Sequence, residues 1–409
     1  MNLYKRENYL KKIRGFYHDT DLIKVITGVR RCGKSCLMQT ISDELKESGI
    51  SSENIFYINL DKRGYKNVKK AEQLENLIDE ICVSKGIKYL FIDEIQNVTG
   101  FEEVINSFIE NEDFSIFITG SNSYLLSGEL VTKLTGRYLE FEVYPLTFDE
   151  YLGMKEFLGK LVDSDVNIEF EKYIKEGGFP KSLQIESLED KRTYTQGIIE
   201  EIMKKDIKNR MKIRNISVFE TVQKYIFNNF GATTSLINII EDLHKKGINL
   251  KRETLNRYIQ ILIDSKILLK CERFDLKSRK SISCEQKYYL ADLSFYFSTN
   301  TDNRINYGSV LENIVYIYSR AKGYSVSVGR IGKLECDFIL RNNRQQYFYV
   351  QVAMTILSSI ETENREYKPL EQIKDNYPKY IMTRNDLIQN RNGIIHVNIA
   401  PFMKNKSLF

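Results

Sequence analysis

The chain has 409 residues, 42% hydrophobic and 28% charged with only 5 Pro and 22 Gly, which is too long for one ordinary core and far from disordered or collagen-like compositions. Its net charge of +5 permits nucleic acid as a partner without requiring it. Cysteines 32, 36, 82, 271, 284 and 336 show no C-x-x-C spacing and only three His accompany them, so reduced thiols are expected and a structural zinc is not.

The opening MNLYKRENYLKKIRGF is charged from the start, and no later stretch approaches 18 uncharged apolar residues, which excludes a signal peptide and a membrane-spanning helix and predicts a cytoplasmic protein. From Leu22 to Tyr144 the runs LIKVIT, IFYINL, KYLFID, FSIFIT and RYLEFEVY alternate with helical patterns. Continuous apolar strands separated by helices predict an α/β domain with a parallel sheet over residues 1–145. After Pro145 the segments 146–161, 168–178 and 193–210 read as helices, a lid over 146–214. Three further helical stretches, 216–230, 235–246 and 251–266, precede ILLKCERFDL, the charged turn KSRKS and EQKYYLAD. Three helices and a hairpin follow the winged-helix plan over 215–303. From residue 304 a helix at 308–321, strands LECDFIL and YFYVQVAM, a helix near 366–377 and strands PKYIMT and IIHVNI predict a second small α/β unit.

Residues Gly28, Val29, Arg30, Arg31, Cys32, Gly33, Lys34 and Ser35 match G-x-x-x-x-G-K-[ST], with a strand before and a helix after, and Cys36 completes the expected nucleotide-binding stretch. Backbone N–H groups can converge on phosphate oxygens only where no side chain obstructs them, and a helix N-terminus favours the anion. Gly28 and Gly33 supply that clearance, Lys34 reaches the β- and γ-phosphates, and the Ser35 hydroxyl is a ligand for Mg²⁺. ATP and Mg²⁺ are therefore the expected cofactors. Arg30 and Arg31 lie within the loop without an assigned role.

KYLFIDEIQNV ends an apolar strand in Asp93-Glu94, where a second loop meets the phosphates at the carboxyl edge of the sheet. Asp93 fits a water-mediated Mg²⁺ ligand, and Glu94 fits the base that orients the attacking water, which favours hydrolysis over simple binding. Asn122 follows the strand FSIFIT, where it senses the γ-phosphate or merely caps the next helix. Arg137 is either an arginine finger for a neighbouring subunit's nucleotide or a surface arginine.

These residues, together with ITGSNSYLLSGEL, LTGRYLEFEVYPLTFDEYL, EGGFP and KYYLADLSF, resemble an AAA-type P-loop ATPase of a bacterial and archaeal family with a C-terminal region of unknown function. The resemblance implies an ATPase core, a helical lid, a winged helix and a restriction-nuclease-like end domain. It places Gly33, Lys34 and Ser35 in the Walker A loop, Asp93 and Glu94 in Walker B, Asn122 as sensor and Arg137 as finger. The end domain resembles a PD-(D/E)-x-K nuclease through Glu312 and Asp337, but Gln351 and Ala353 stand where an acid and the lysine belong. Loss of both predicts an inactive scaffold over 304–409.

In the winged unit Lys251, Arg252, Asn256 and Arg257 on the third helix, with Lys277, Arg279 and Lys280 on the hairpin, suit phosphate contact. Winged helices also bind proteins, so double-stranded DNA and a protein partner both stay open, as does a homo-oligomer. The leading functional expectation is an ATPase whose nucleotide state moves the winged-helix and C-terminal modules. The alternative is a regulatory switch with slow hydrolysis; an ATP-gated nuclease is disfavoured by Gln351 and Ala353.

Overall fold

The structure, a computed structural model, describes residues 3–110, 113–120, 136–208, 213, 215–299 and 305–409. The chain divides into two compact units, Met1–Tyr144 with Asp264–Lys266, and Pro145–Ile263 with Ile267–Phe409.

In the first unit helix α1 (Glu7–Ile13) precedes β1 (Ile23–Thr27), α2 (Lys34–Glu47), β2 (Ile55–Asn59), α3 (Ala71–Ile81), β3 (Lys88–Asp93), α4 (Phe101–Glu110), β4 (Phe114–Thr119) and β5 (Tyr138–Glu142). All five strands are parallel, in the order β2-β3-β4-β1-β5, so every expected strand of this unit is present. Their apolar runs are explained by burial: Leu90, Ile92, Ile116 and Ile118 pack with Leu74 and Ile78 of α3 and with Val104, Ile105 and Phe108 of α4. Lys24 interrupts the run of β1 yet is fully buried. Its ammonium donates to the Asp19 carbonyl at 2.6 Å and to Ser115 Oγ at 3.0 Å, while burial pulls its pKa down to about 7.

The second unit begins with α5 (Phe148–Phe157), α6 (Val166–Glu176) and α7 (Leu188–Ile202), the last running into a π-helical turn at Met203–Lys208. It continues with α8 (Ile216–Asn228), the short β6 (Thr233–Thr234), α9 (Leu236–Lys245), α10 (Arg252–Asp264) and the strands β7 (Leu268–Asp275) and β8 (Lys280–Leu290). Then follow α11 (Ser294–Thr299), α12 (Tyr307–Lys322), β9 (Ser325–Ile331), β10 (Leu334–Arg341), β11 (Tyr347–Val352), α13 (Ile360–Glu371), β12 (Lys379–Thr383), β13 (Ile395–Asn398) and α14 (Ile399–Lys404). Among the described residues, eight strands form one sheet in the order β13-β12-β11-β10-β9-β7-β8-β6. It joins strands that precede residue 300 to strands that follow residue 305, because β7 pairs in parallel with β9, Arg273 against Val328 and Asp275 against Arg330.

Two details differ from the sequence expectation. The helix expected near 366–377 starts earlier, at Ile360, because Ser359 Oγ accepts the Thr362 N–H at 3.1 Å and caps it, and it ends at Glu371 just after Pro369. Strand β9 carries no expectation at all, although Val326 and Val328 alternate with Ser325 and Ser327.

The EGGFP and LADLSF stretches meet. Asp292 is buried, and its carboxylate accepts the Gly178 N–H at 2.7 Å and the Ser294 N–H at 2.9 Å. A Cβ on Gly177, whose φ is +75°, would lie 2.0 Å from Asp292 Oδ1, so the turn between α6 and the next helix must be glycine. Burial pushes the Asp292 carboxyl up to about 6 despite those bonds.

Candidate nucleotide site

Parallel strands β1, β3 and β4 end at Thr27, Asp93 and Thr119, which brings their loops to one edge of the sheet. The chain leaves β1 through Gly28–Gly33 and enters α2 at Lys34, with Gly33 in the left-handed region at φ 107° and no side chain capping the helix. The first N–H groups of α2 are thereby left without a side-chain acceptor at the end of β1, a geometry suited to an anion.

Gly28 has φ +140°, and a Cβ there would lie 2.1 Å from the Val143 carbonyl oxygen. Because that neighbour is backbone, the loop itself would have to shift. Gly28→Ala is expected to cost about 1–3 kcal/mol of stability and to weaken nucleotide binding, measured by thermal melting and by titration with a fluorescent ATP analogue.

The remaining loop residues are placed as follows. Val29, Arg30, Cys32 and Lys34 are buried, while Arg31 (φ 69°), Ser35 and Cys36 face outward. Lys34 Nζ donates to the carbonyls of Gly28 at 2.9 Å and Val29 at 3.2 Å, so its ammonium is held inside the loop. Burial raises the thiol of Cys32, and partial desolvation and the neighbouring Asp93 charge raise that of Cys36. From α1, Arg6 reaches the loop: its guanidinium donates to the carbonyls of Cys32 at 3.1 Å and Tyr144 at 2.9 Å.

Asp93 is buried at the end of β3. Its two oxygens are held apart by two donors, Thr119 Oγ1 at 2.5 Å and Asn59 Nδ2 at 2.9 Å. Glu94 follows in the left-handed region, φ 59° and ψ 44°, a conformation uncommon for a non-glycine residue and shared here by turn residues such as Lys266 and Gln345. The Glu94 N–H donates to Thr119 Oγ1 at 3.1 Å, and the Gln96 side-chain amide donates to its carboxylate. Thr119 therefore ties both acidic residues to the end of β4.

The structure thus brings Gly28 to Cys36, Asp93 and Glu94 to one edge. Arg137 is not brought there: it is exposed and precedes β5, where its carbonyl accepts the Ile23 N–H at 2.9 Å at the amino-terminal edge of the sheet. Asn122 lies outside the described residues. Thr119, Asn59, Gln96 and Arg6 escaped the sequence reading. For Asn59 and Thr119 a signal existed, a polar residue closing an otherwise apolar strand; for Arg6 there was none.

A second cluster of titratable groups lies in the second unit. Lys287 of β8 is buried, with Nζ 2.9 Å from Glu312 Oε2, 2.9 Å from Glu335 Oε1 and 3.7 Å from Asp337 Oδ1. Burial opposes the Lys287 charge, but Glu312, Asp337 and Glu335 outweigh it and hold its pKa well above the ordinary lysine value. Arg273 of β7 also binds Glu335, and Tyr289 donates to Glu312 at 2.9 Å. Asp337, the most distant carboxyl, is pushed up by burial and by Glu312 while accepting the Val352 N–H at 2.8 Å. Gln351 spends its amide on Glu366 at 3.0 Å, and its oxygen accepts the Asp337 N–H at 3.4 Å.

A family described as an AAA domain matches residues 20–152, and a domain of unknown function matches residues 167–303. An uncharacterized protein of Haemophilus influenzae is 37% identical over 385 residues, covering 93% of this chain and 93% of that protein. One from Methanocaldococcus jannaschii is 31% identical over 400 residues, covering 93% of this chain and 87% of that protein. Among solved structures, the Walker-type ATPase of Pyrococcus abyssi superposes with a TM-score of 0.51 at 14% identity, over 73% of this chain and 96% of that one. Among the described residues no helix is long and apolar enough to cross a membrane.

Proposed function

From the premise that this chain belongs to one family with the Haemophilus influenzae and Methanocaldococcus jannaschii proteins, and is an AAA-type P-loop ATPase, we propose that it binds ATP with Mg²⁺ and hydrolyses it to drive its C-terminal modules. The observation that carries this reading is the pair Asp93-Glu94 locked by Thr119 to the edge that also bears the phosphate loop. Binding alone needs the loop; it does not need a second carboxylate fixed beside it.

In this reading the N–H groups from Val29 to Ser35 and the Lys34 ammonium hold the phosphates. Ser35 and Asp93 offer the hard oxygens that suit Mg²⁺, which when bound would neutralise charge on the phosphate oxygens. Glu94 takes a proton from the water whose oxygen attacks the γ-phosphorus, as the bond to the β-phosphate oxygen breaks and ADP departs. Asn59 and Thr119 keep Asp93 in place.

The segments 1–145, 146–214, 215–303 and 304–409 act in this proposal as core, lid, winged-helix module and end domain. The protein works in the cytoplasm on double-stranded DNA or a protein partner, and Arg137 serves a neighbouring subunit if the chain assembles with itself. The end domain is a non-cutting scaffold: Lys287 and Arg273 already neutralise its carboxylates, and Gln351 holds Glu366. A slow regulatory switch is the second reading, favoured by one contact, the Gln96 amide on the Glu94 carboxylate.

Lys34→Ala is the direct test. Removing one partner of a buried charge-assisted contact costs roughly 2–5 kcal/mol, so ATP affinity should fall about 30-fold or more. Calorimetric titration that found ATP affinity unchanged would remove the nucleotide site from the proposal.

A further inference from the structure

Two hairpin turns share one end of the eight-stranded sheet. Strand β7 runs to Asp275 and turns at 276–279 into β8, with Asp275 opposite Lys280. Strand β9 runs parallel to β7, reaches Ile331 and turns at Gly332-Lys333 into β10, with Leu334 opposite Ile331. The neighbouring order β10-β9-β7-β8 therefore sets both turns side by side, and the Leu276 N–H joins them by donating to the Arg330 carbonyl at 3.1 Å.

The two turns carry Lys277, Arg279 and Lys333, and the strand ends beside them carry Lys280 of β8 and Arg330 of β9, all five exposed. Ion pairs run through the rest of this unit, yet none of these five cations forms one among the described residues. Among the described residues Glu335 is bound to Arg273 and Lys287, and Asp275 accepts the Ser278 N–H at 2.6 Å, its carboxyl held below the ordinary value by that bond and, more weakly, by the charge of Arg330. Both turns are also preorganised, since Lys287 and Arg273, from the first hairpin, grip Glu335 of the second, so little ordering would accompany binding.

We propose that this paired-hairpin edge binds the phosphate backbone of double-stranded nucleic acid without reading its sequence. Four strands span about 14 Å at the usual strand spacing, and one strand of a duplex offers a phosphate about every 3.4 Å of axis, so the edge meets about four phosphates. The turns hold Leu276, Lys277, Ser278, Arg279, Gly332 and Lys333. They lack an aromatic ring for stacking on unpaired bases or for anchoring a protein interface. Charge without aromatic or base-reading groups suits a backbone contact. The inference rests on the functional reading above and deepens it by naming the partner, adding the β9–β10 turn to the hairpin already expected to meet phosphate, and leaving the α10 helix out of the contact.

The test is fluorescence anisotropy of the full-length protein, without nucleotide, on labelled short duplexes of unrelated sequence. About four phosphate contacts predict a log–log salt slope near −3.6, which is roughly a 100-fold fall in affinity between about 50 and 200 mM salt. Lys277→Glu/Arg279→Glu/Lys280→Glu and Arg330→Glu/Lys333→Glu should each weaken binding at least about ten-fold and flatten the slope by about one for every phosphate no longer neutralised. The thermal melt of both should match the wild type, as these side chains are exposed. Lys251→Glu/Arg257→Glu, just before α10 and on it, should change neither value. The proposal is overturned if wild-type protein ignores duplex at low salt, if only the α10 variant loses binding, or if polyglutamate competes as well as DNA. Lys34→Ala should bind duplex normally, so failure of the ATPase reading and failure of this one are separable.

Discussion

A Glu94→Gln protein is expected to bind ATP as tightly as the wild type and to hydrolyse it on the order of 10²–10⁴ times more slowly, the usual contribution of a positioned base. The two parts of this result come from different atoms. Affinity rests on the loop N–H groups and Lys34, which the substitution leaves alone. The N–H of residue 94 still reaches Thr119, because that bond uses backbone and not the side chain. What disappears is the carboxylate to which Gln96 donates. Phosphate release under saturating ATP, beside a direct binding titration, separates the two. A variant with full turnover would return Glu94 to the status of a polar turn residue and leave the slow-switch reading without its catalytic base.

Replacing Lys287 by Met is expected to lower the stability of the second unit by about 3–5 kcal/mol, the usual cost of stranding a buried charge, or roughly 6–20 °C in melting temperature. The methionine fills similar space, so packing contributes little and the effect reports charge. Asp337 would be left buried and Glu312 half-buried with their cation gone, while Glu335 keeps Arg273. The buried Asp337, already pushed up, would lose the cation that lowers it and titrate further above its unfolded value. Stability from such groups is fully present at low pH and is lost as the pH rises through the folded pKa, so the deficit should shrink on acidification. Lys287→Arg, which keeps the charge, should lose much less. Melting curves of the Met variant that matched wild type at neutral pH would show the network to be energetically idle.

The first unit was legible because its signals are local. Each strand is a continuous apolar run, and the phosphate loop is a contiguous motif between a strand and a helix. The supporting shell was less so. Asn59, Thr119 and Asp93 meet only because β2, β3 and β4 end at the same level, a fact about register that no single segment contains. The second unit hid more. Sequence pattern gives β7, β8 and β10 but not their order, and β9 was missed because its Ser-Val alternation is half polar and short. Without β9 nothing connects the hairpin to the last strands. Lys287 likewise reads as an ordinary charge beside KYYLAD; its three carboxylate neighbours come from residues 312 to 337.

The parallel pairing of β7 with β9 bears on how the chain is made. Asp275 closes β7, but β9 begins only at Ser325, so a nascent chain emerging at about 5–20 residues per second waits some seconds for the partner strand. During that interval one side of β7 is an open edge of the kind that recruits strands from other molecules. Lys270 and Glu272, exposed and charged along it, are well placed to discourage such encounters. A recombinant fragment cut after residue 303 would make that interval permanent, and should aggregate where the full-length chain stays monodisperse.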